Sequence, residues 1–202
     1  MFPSRAIAFC CFVALPMFVA RHVQGETDRS IDEQVVTLGN NAADAILKTF
    51  ISSLQGAIQQ GGVLHAVSFC NTEIPAITKT VKKSLPEGLQ IKRTTLKVRN
   101  PLNTPDELES QALRYFTQEF KRTGTYPLSH IQTIEGGYRF YKPLLIAKPC
   151  LSCHGPKTEM SPELQTLINE KYPTDQATDY QEGELRGLLR IEIPRSSLDN
   201  KS

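Results

Sequence analysis

Cysteine is scarce in this chain outside the first 25 residues. The 202-residue sequence contains five cysteines, and only Cys70, Cys150 and Cys153 lie beyond that point. A structural zinc site usually needs four Cys or His ligands in paired spacings, and the chain has no second cysteine pair beyond residue 25. The composition therefore argues against a zinc site. If Cys150 and Cys153 act together, Cys70 has no intramolecular disulfide partner.

Long apolar segments are also absent, apart from one near the N-terminus. Residues 6–20 form an uncharged apolar run that follows Arg5. This order is typical of a secretory signal peptide, and the run is too short to span a bilayer comfortably. We therefore predict a cleaved signal peptide over residues 1–25 and a single domain over residues 26–202. The protein is expected to be periplasmic or otherwise exported, without a stable membrane span.

The remaining chain has no excess of basic residues. Removal of residues 1–25 takes away Arg5 and Arg21 but no acidic residue, so the net charge falls from +2 to 0. Proteins that bind nucleic acids or anionic membranes generally carry a basic excess. The charge balance therefore argues against both kinds of partner.

A histidine directly follows two closely spaced cysteines in the stretch Cys150-Leu151-Ser152-Cys153-His154. This spacing is the attachment signature of c-type haem, because one turn of chain brings both sulfurs to the two porphyrin vinyl groups. The next residue then lies over the iron. A thioredoxin-like dithiol does not need the histidine. We predict one covalent haem c, linked through Cys150 and Cys153, with His154 as an axial ligand of the iron.

Hydrophobic periodicity predicts long N-terminal helices followed by a small, mostly antiparallel sheet. A capping box at Ser30 predicts the start of the first helix, and Gly61-Gly62 predicts its end. The other helices are predicted over residues 62–83, 104–124 and 162–170, and the strands over residues 88–99, 129–135, 138–147 and 185–193. The fold class is therefore α+β, with the haem motif in the C-terminal third.

Three further residues are candidates for contact with the haem. Cys70 shares an apolar helix face with Val63 and Ala66, so its thiol is expected to point inwards, as a small hydrophobe or as a ligand. Arg93 and Arg99 lie on the predicted strand over residues 88–99. Their guanidinium groups could pair with the haem propionates, or could belong to a solvated strand face.

Four groups of residues, taken together, are typical of one kind of domain. They are Gly61-Gly62 with Ala66, Cys70 and Ile74-Pro75-Ala76-Ile77; the run from Arg93 to Asp106; Tyr141-Lys142-Pro143 with Cys150 to Gly155; and Tyr172-Pro173 with Gly183-Glu184-Leu185-Arg186-Gly187. With this combination the chain resembles a family of exported c-type haem domains with a PAS-like fold. Such domains occur alone or as sensory modules ahead of signalling domains.

The resemblance implies two axial ligands, the motif histidine and a cysteine from the N-terminal helices. These correspond to His154 and Cys70. Other residues of kinds that haem accepts remain alternatives for the second position: His65, His130 and Met160. The chain departs from the family pattern at Asp179, where a glycine is usual, and also at Leu108 and Glu184.

A cysteine ligand favours a sensory function over the alternatives. A thiolate lowers the iron potential and can be displaced by reduction, protonation or a diatomic gas. We therefore predict a redox or gas sensor, whose output requires an unknown redox or signalling partner, or a homodimer. An electron-transfer cytochrome is the alternative. A haem enzyme such as a peroxidase needs an open iron face, which Cys70 would close, so no enzyme is predicted.

Overall fold

The fold combines five helices and four strands in the part of the chain that the structure, a computed structural model, describes. That part is residues 17–198, with side chains described over residues 30–198 except Ile74 and Pro75. Residues 1–16 of the predicted signal peptide lie outside it. The helices are α1 (Met17–Thr72), α2 (Ile74–Lys82), α3 (Glu107–Thr123), α4 (Leu151–His154) and α5 (Pro162–Lys171); the strands are β1 (Gln90–Thr94), β2 (His130–Ile134), β3 (Gly137–Leu145) and β4 (Leu185–Pro194). None of the described helices is long and apolar enough to cross a membrane.

Helix α1 is longer than the sequence predicted. It passes through Ser30 without a break, so the predicted start at that residue is wrong; no proline stands between Met17 and Ser30 to end the helix. The predicted end at Gly61-Gly62 is a break inside α1, since both residues have non-helical backbone angles. Gly62 has φ 71° and ψ −168°, a combination that is essentially confined to glycine. The break separates residues 17–60 from residues 63–72.

The four strands form one antiparallel sheet with the order β1-β4-β3-β2. The alternation predicted a strand as far as Arg99, but strand β1 ends at Thr94. The chain leaves the sheet because the Thr95 backbone N–H donates to the carbonyl oxygen of Asn103 and the Thr95 hydroxyl donates to that of Arg186. Arg99 therefore lies in a loop. The predicted hairpin and final strand agree with β2, β3 and β4.

Alternating side chains direct the sheet towards two separate helical layers. One face, here called the α1 face, packs on α1 through Tyr138, Phe140, Leu189, Ile191 and Ile193. The approach is close, since a Cβ on Gly39 would lie only 2.3 Å from the Phe140 ring. The opposite face, here called the α3 face, packs on α3 through Tyr141 and Leu188. The predicted α+β class with a long N-terminal helix and a small antiparallel sheet is therefore confirmed.

Candidate functional site

The two motif cysteines lie on a single helical turn. A short 3₁₀ turn over Lys148–Cys150 leads directly into α4, and the three cysteines in the described part of the chain are all free thiols. Cys150 packs beside Ala177 and Tyr180, whereas Cys153 packs beside Val67 of α1. Both thiols are partly exposed and belong to neighbouring apolar clusters. The two thiols are therefore separated by one helical turn.

Arg99 holds the motif in place. Its guanidinium makes two bonds to the Asp175 carboxylate, of 3.0 and 2.9 Å, and donates to the carbonyl oxygens of Cys153 at 2.7 Å and Ala177 at 3.2 Å. Both partners of the ion pair are largely buried. A charge-assisted, two-point contact of this kind orients a loop more strictly than a neutral hydrogen bond. Arg99 therefore ties the motif to the segment over residues 175–177.

Backbone hydrogen bonds continue the same connection. The N–H of Tyr180 donates to the His154 carbonyl oxygen at 3.0 Å, and that of Asp179 donates to Gly155 at 2.9 Å. Asp179 has φ 60°, a left-handed conformation that favours glycine, and its carboxylate accepts the backbone N–H of Lys157. Asp179 therefore adopts a backbone conformation that is also open to glycine, because a short acidic side chain tolerates it.

The imidazole of His154 is fixed by a backbone contact. Its Nδ1 lies 2.7 Å from the carbonyl oxygen of Ala177. Since a carbonyl oxygen only accepts, Nδ1 carries the proton and the Nε2 lone pair is left for another partner. Burial holds the pKa of His154 well below its ordinary value, and the guanidinium groups of Arg99 and Arg186 act in the same direction. The imidazole is therefore neutral, the form that binds metals.

Cys70 lies near this site, on the part of α1 that follows the glycine break. Burial raises the pKa of its thiol, and the thiol of Cys153 adds to this effect, whereas the guanidinium groups of Arg93 and Arg99 oppose it. Charge effects of this kind weaken with distance, so Cys70 lies in the neighbourhood of Cys153, Arg93 and Arg99. The neighbouring residue, Asn71, hydrogen-bonds the Tyr172 hydroxyl beyond α5. Cys70 and the motif therefore belong to the same region of the fold.

The alternative ligands occupy different places. His65 is exposed on α1. His130 stacks on Tyr115 with ring centroids 4.1 Å apart and pairs in register with Tyr141, so it lies on the α3 face, whereas Arg93 lies on the α1 face. Met160 is buried in the same apolar cluster as Cys153. Among the three, Met160 is the one that the structure places beside the motif.

Cationic side chains surround the motif. Arg93 lies near Cys70 and Cys150, since both thiols act on its pKa, which burial lowers. Lys97 lies 4.2 Å from the centre of the Tyr180 ring, and Arg186 lies 5.5 Å from it. Arg186 and Lys97 were not chosen as site residues from the sequence, although both stand within segments that carried the family resemblance. This set of residues, together with Cys70, Arg99 and Cys150 to His154, is called the motif site below.

The described part of the chain offers little evidence for a second functional site. That part contains no group of three His, Cys, Asp or Glu side chains that could hold a metal ion. A cavity of about 500 Å³ lies between α1 and the C-terminal turn, and its lining includes Gln34, Asn41 and Ser197. No residue of the motif site lines this cavity. The residues with distinctive chemistry therefore converge at the motif site.

Comparison with known proteins gives one family and one similar fold. No curated protein matches the chain. The crystal structure of the cyanobacterial heme-protein Tll0287 is similar, with a TM-score of 0.52 and 23% sequence identity; the match covers 90% of this chain and 98% of that chain. The model of the Tll0287-like family matches residues 20–194, which is most of the sequence. The chain therefore belongs to the Tll0287-like family.

Proposed function

We propose that this chain is an exported monohaem c-type protein that binds its haem covalently at the motif site and responds to redox state or to a diatomic gas through displacement of Cys70. The observation that carries the proposal is the environment of His154. Its Nδ1–H is committed to Ala177, and its neutral imidazole stands next to two free thiols one turn apart. The cyanobacterial protein of similar fold is described as a heme-protein.

The residues of the site fit a haem in three further respects. Cys150 and Cys153 are unpaired, so each sulfur is available to add across a vinyl group, with the thiol hydrogen going to the other vinyl carbon. Cys70 provides a second soft ligand near the motif. The guanidinium of Arg93 provides positive charge that no carboxylate of the described residues neutralises, which suits a ligand with propionate groups.

A bound haem would supply an iron that changes oxidation state and exchanges ligands. The residues of the chain would control that iron in different ways. His154, fixed by Ala177, would remain in place in both oxidation states. Cys70 must lose its proton to bind, so protonation of its sulfur would compete with the iron, whereas the neutral imidazole of His154 already has a free lone pair. This difference supports a displaceable cysteine.

The signal peptide, the domain organisation and the location are proposed from the sequence patterns. We propose a cleaved signal peptide over residues 1–25, a single PAS-like domain after it, and a location outside the cytoplasm. A separate redox or signalling protein, or a second copy of the chain, would receive the output. The proposal includes no catalytic turnover. The alternative function is that of an electron carrier whose iron keeps the same ligands in both oxidation states. The experiment below distinguishes the two functions.

Expression with a cytochrome c maturation system tests the proposal directly. The denatured protein should keep a haem-stained band, and electron paramagnetic resonance of the oxidised protein should give a low-spin signal typical of a thiolate ligand. After reduction, carbon monoxide should bind within the mixing time. Absence of the haem band would disprove the covalent site. A low-spin ferrous form that excludes carbon monoxide would instead favour electron transfer.

A further inference from the structure

Two buried or partly buried guanidinium groups of the motif site have no carboxylate partner. Arg186, near the start of β4, is only 7% exposed. Its Nη1 donates to the hydroxyl oxygen of Thr95 at 2.9 Å and to the carbonyl oxygen of Lys97 at 3.1 Å, and both acceptors are neutral. Its Nε is buried without a hydrogen-bond partner. The charge of Arg186 is therefore removed from water without compensation by an anion.

Arg93, on the neighbouring strand β1, is partly exposed but also lacks a carboxylate partner among the described residues. Among the residues whose side chains the structure describes, none forms a hydrogen bond or an ion pair with its guanidinium. The group lies 5.3 Å from the centre of the Phe50 ring, which provides only a weak cation–π contact. Arg93 is close enough to Arg186 to lower its pKa, and burial contributes the larger part of a shift to about 10. The two cations therefore repel each other.

Arg99 differs from this pair because its charge is already neutralised. Asp175 accepts two hydrogen bonds from it, and the side chain of Asp175 is only 4% exposed. A buried cation without an anion is costly, and proteins normally keep such a group only when a ligand or partner supplies the opposite charge. Arg93 and Arg186 are therefore prepared for an anionic ligand, whereas Arg99 is not.

We propose that Arg93 and Arg186 together bind the propionate carboxylates of the haem, and that Arg99 positions the motif instead. This inference rests on the proposed function. The planar guanidinium matches a carboxylate in a two-point contact. The thiols of Cys70 and Cys150 both act on Arg93, so its guanidinium borders the space that the haem would occupy. A free organic carboxylate has the same chemistry, so the test must separate a propionate from a small anion.

The test compares the haem-loaded wild-type protein with Arg93→Gln, Arg186→Gln, the double variant and Arg186→Lys. Arg195→Gln is the matched control, because Arg195 is exposed and its guanidinium lies 5.6 Å from the Tyr138 ring, outside the site. Haem is labelled with ¹³C at the propionate carboxylates. The measurements are the haem-stained band, the midpoint potential and the redox-induced infrared difference spectrum.

All variants should keep covalent haem. Each glutamine substitution in the pair should lower the potential and move the labelled carboxylate bands, and the double variant should do both to the greatest extent. Arg186→Lys should recover part of the potential, because it restores the charge, but should leave the bands displaced, because a lysine lacks the planar fork. Arg195→Gln should match the wild type in every measurement.

Unchanged potentials and bands in Arg93→Gln and Arg186→Gln would overturn the pairing while leaving the covalent site intact. If Arg186→Gln does not fold, unchanged bands in Arg93→Gln and Arg186→Lys would overturn it equally. A wild-type potential that changes with acetate concentration at constant ionic strength would assign the pair to a free anion. A wild-type protein without covalent haem would overturn the proposed function and this pairing together.

Discussion

Charged side chains are treated differently on the α3 face of the sheet and at the motif site. On the α3 face, three cations meet three carboxylates. Glu109 is fully buried and lies 2.6 Å from Lys92 and 3.1 Å from Arg190, and Arg139 contacts Asp106 at 2.8 Å and Glu192 at 3.0 Å. Each charge in this group is balanced within the fold.

At the motif site, three cations have no such balance. Arg93, Lys97 and Arg186 have no carboxylate within ion-pair distance in the described part of the chain, and Arg99 takes Asp175. Arg190 on the α3 face also leaves its Nε without a hydrogen-bond partner, but carboxylates surround its charge. The charges of the α3 face are therefore neutralised within the fold, whereas those of the motif site are left for the anionic ligand proposed above.

Removal of the motif thiols should have the largest effect, because it takes the ligand away from the motif site. We expect Cys150→Ala with Cys153→Ala to abolish covalent haem completely, since no sulfur remains to form a thioether. Haem staining after denaturing electrophoresis and acid-acetone extraction measures this. Cys70→Ala is the matched control and should keep the stained band. Haem that resists extraction from the double variant would show that the thioether assignment is wrong.

Loss of one carboxylate should break the balance of the α3 face. We expect Glu109→Gln to lower the free energy of unfolding by about 3 kcal/mol, because Lys92 and Arg190 lose their buried counter-charge. The Glu109 side chain also accepts the Asp106 backbone N–H in the capping box of α3. Urea denaturation of the haem-loaded protein measures the change.

The matched control for that variant is Glu107→Gln. Glu107 contacts Arg114 at 3.1 Å on the surface, where an ion pair contributes little, so the change should be less than about 1 kcal/mol. Neither substitution should alter the haem-stained band. Equal, small losses of stability in both variants would remove the contrast between the two regions.

The third prediction concerns the ligand that the motif site offers to the iron. We expect Cys70→Ala to keep covalent haem, raise the reduction potential and open the ferric iron to imidazole or cyanide, because a thiolate stabilises the ferric state. Optical and electron paramagnetic resonance spectra of the oxidised protein measure the ligation, and Cys70→Ser should behave similarly.

His65→Ala and His130→Ala are the controls for the ligand. Neither should change the ferric spectrum, because His65 is exposed and His130 lies on the α3 face. Met160→Leu tests the remaining alternative, which the structure places beside Cys153. Loss of the low-spin spectrum in Met160→Leu, with no change in Cys70→Ala, would refute the cysteine switch.

The smallest effect is expected at the break in α1 that places Cys70 at the motif site. We expect Gly62→Ala to destabilise the protein by about 1–3 kcal/mol, because its φ of 71° and ψ of −168° are strained for alanine. Gly56→Ala is the matched control, since a Cβ there meets no atom within 4 Å. In a regular helix it should stabilise by about 0.5–1 kcal/mol. Thermal unfolding of both variants measures the difference, and equal effects of the same sign would contradict it.

Local features of the site could be read from the sequence. The motif from Cys150 to His154 occupies one helical turn, so spacing alone predicts that its side chains lie together. The helices and the turn at Gly136-Gly137 could also be predicted, because helical periodicity and turn signals depend on residues that are close together in the sequence. The apolar helix face left two roles open for Cys70, a small buried hydrophobe or a ligand, and the family resemblance favoured the ligand. The predicted start of α1 and the predicted end of β1 were wrong, because both boundaries depend on how the chain continues or bends outside the local pattern.

The tertiary structure decided which distant groups meet. Arg99 was predicted on a strand with Arg93, but the turn at Thr95 separates them and turns Arg99 towards Asp175. Arg186 joins Arg93 only because β4 lies next to β1 in the sheet. His154 is oriented by the carbonyl oxygen of Ala177, and every residue carries such an oxygen. No side-chain pattern could mark that contact, since only the path of the folded backbone brings the oxygen to the imidazole.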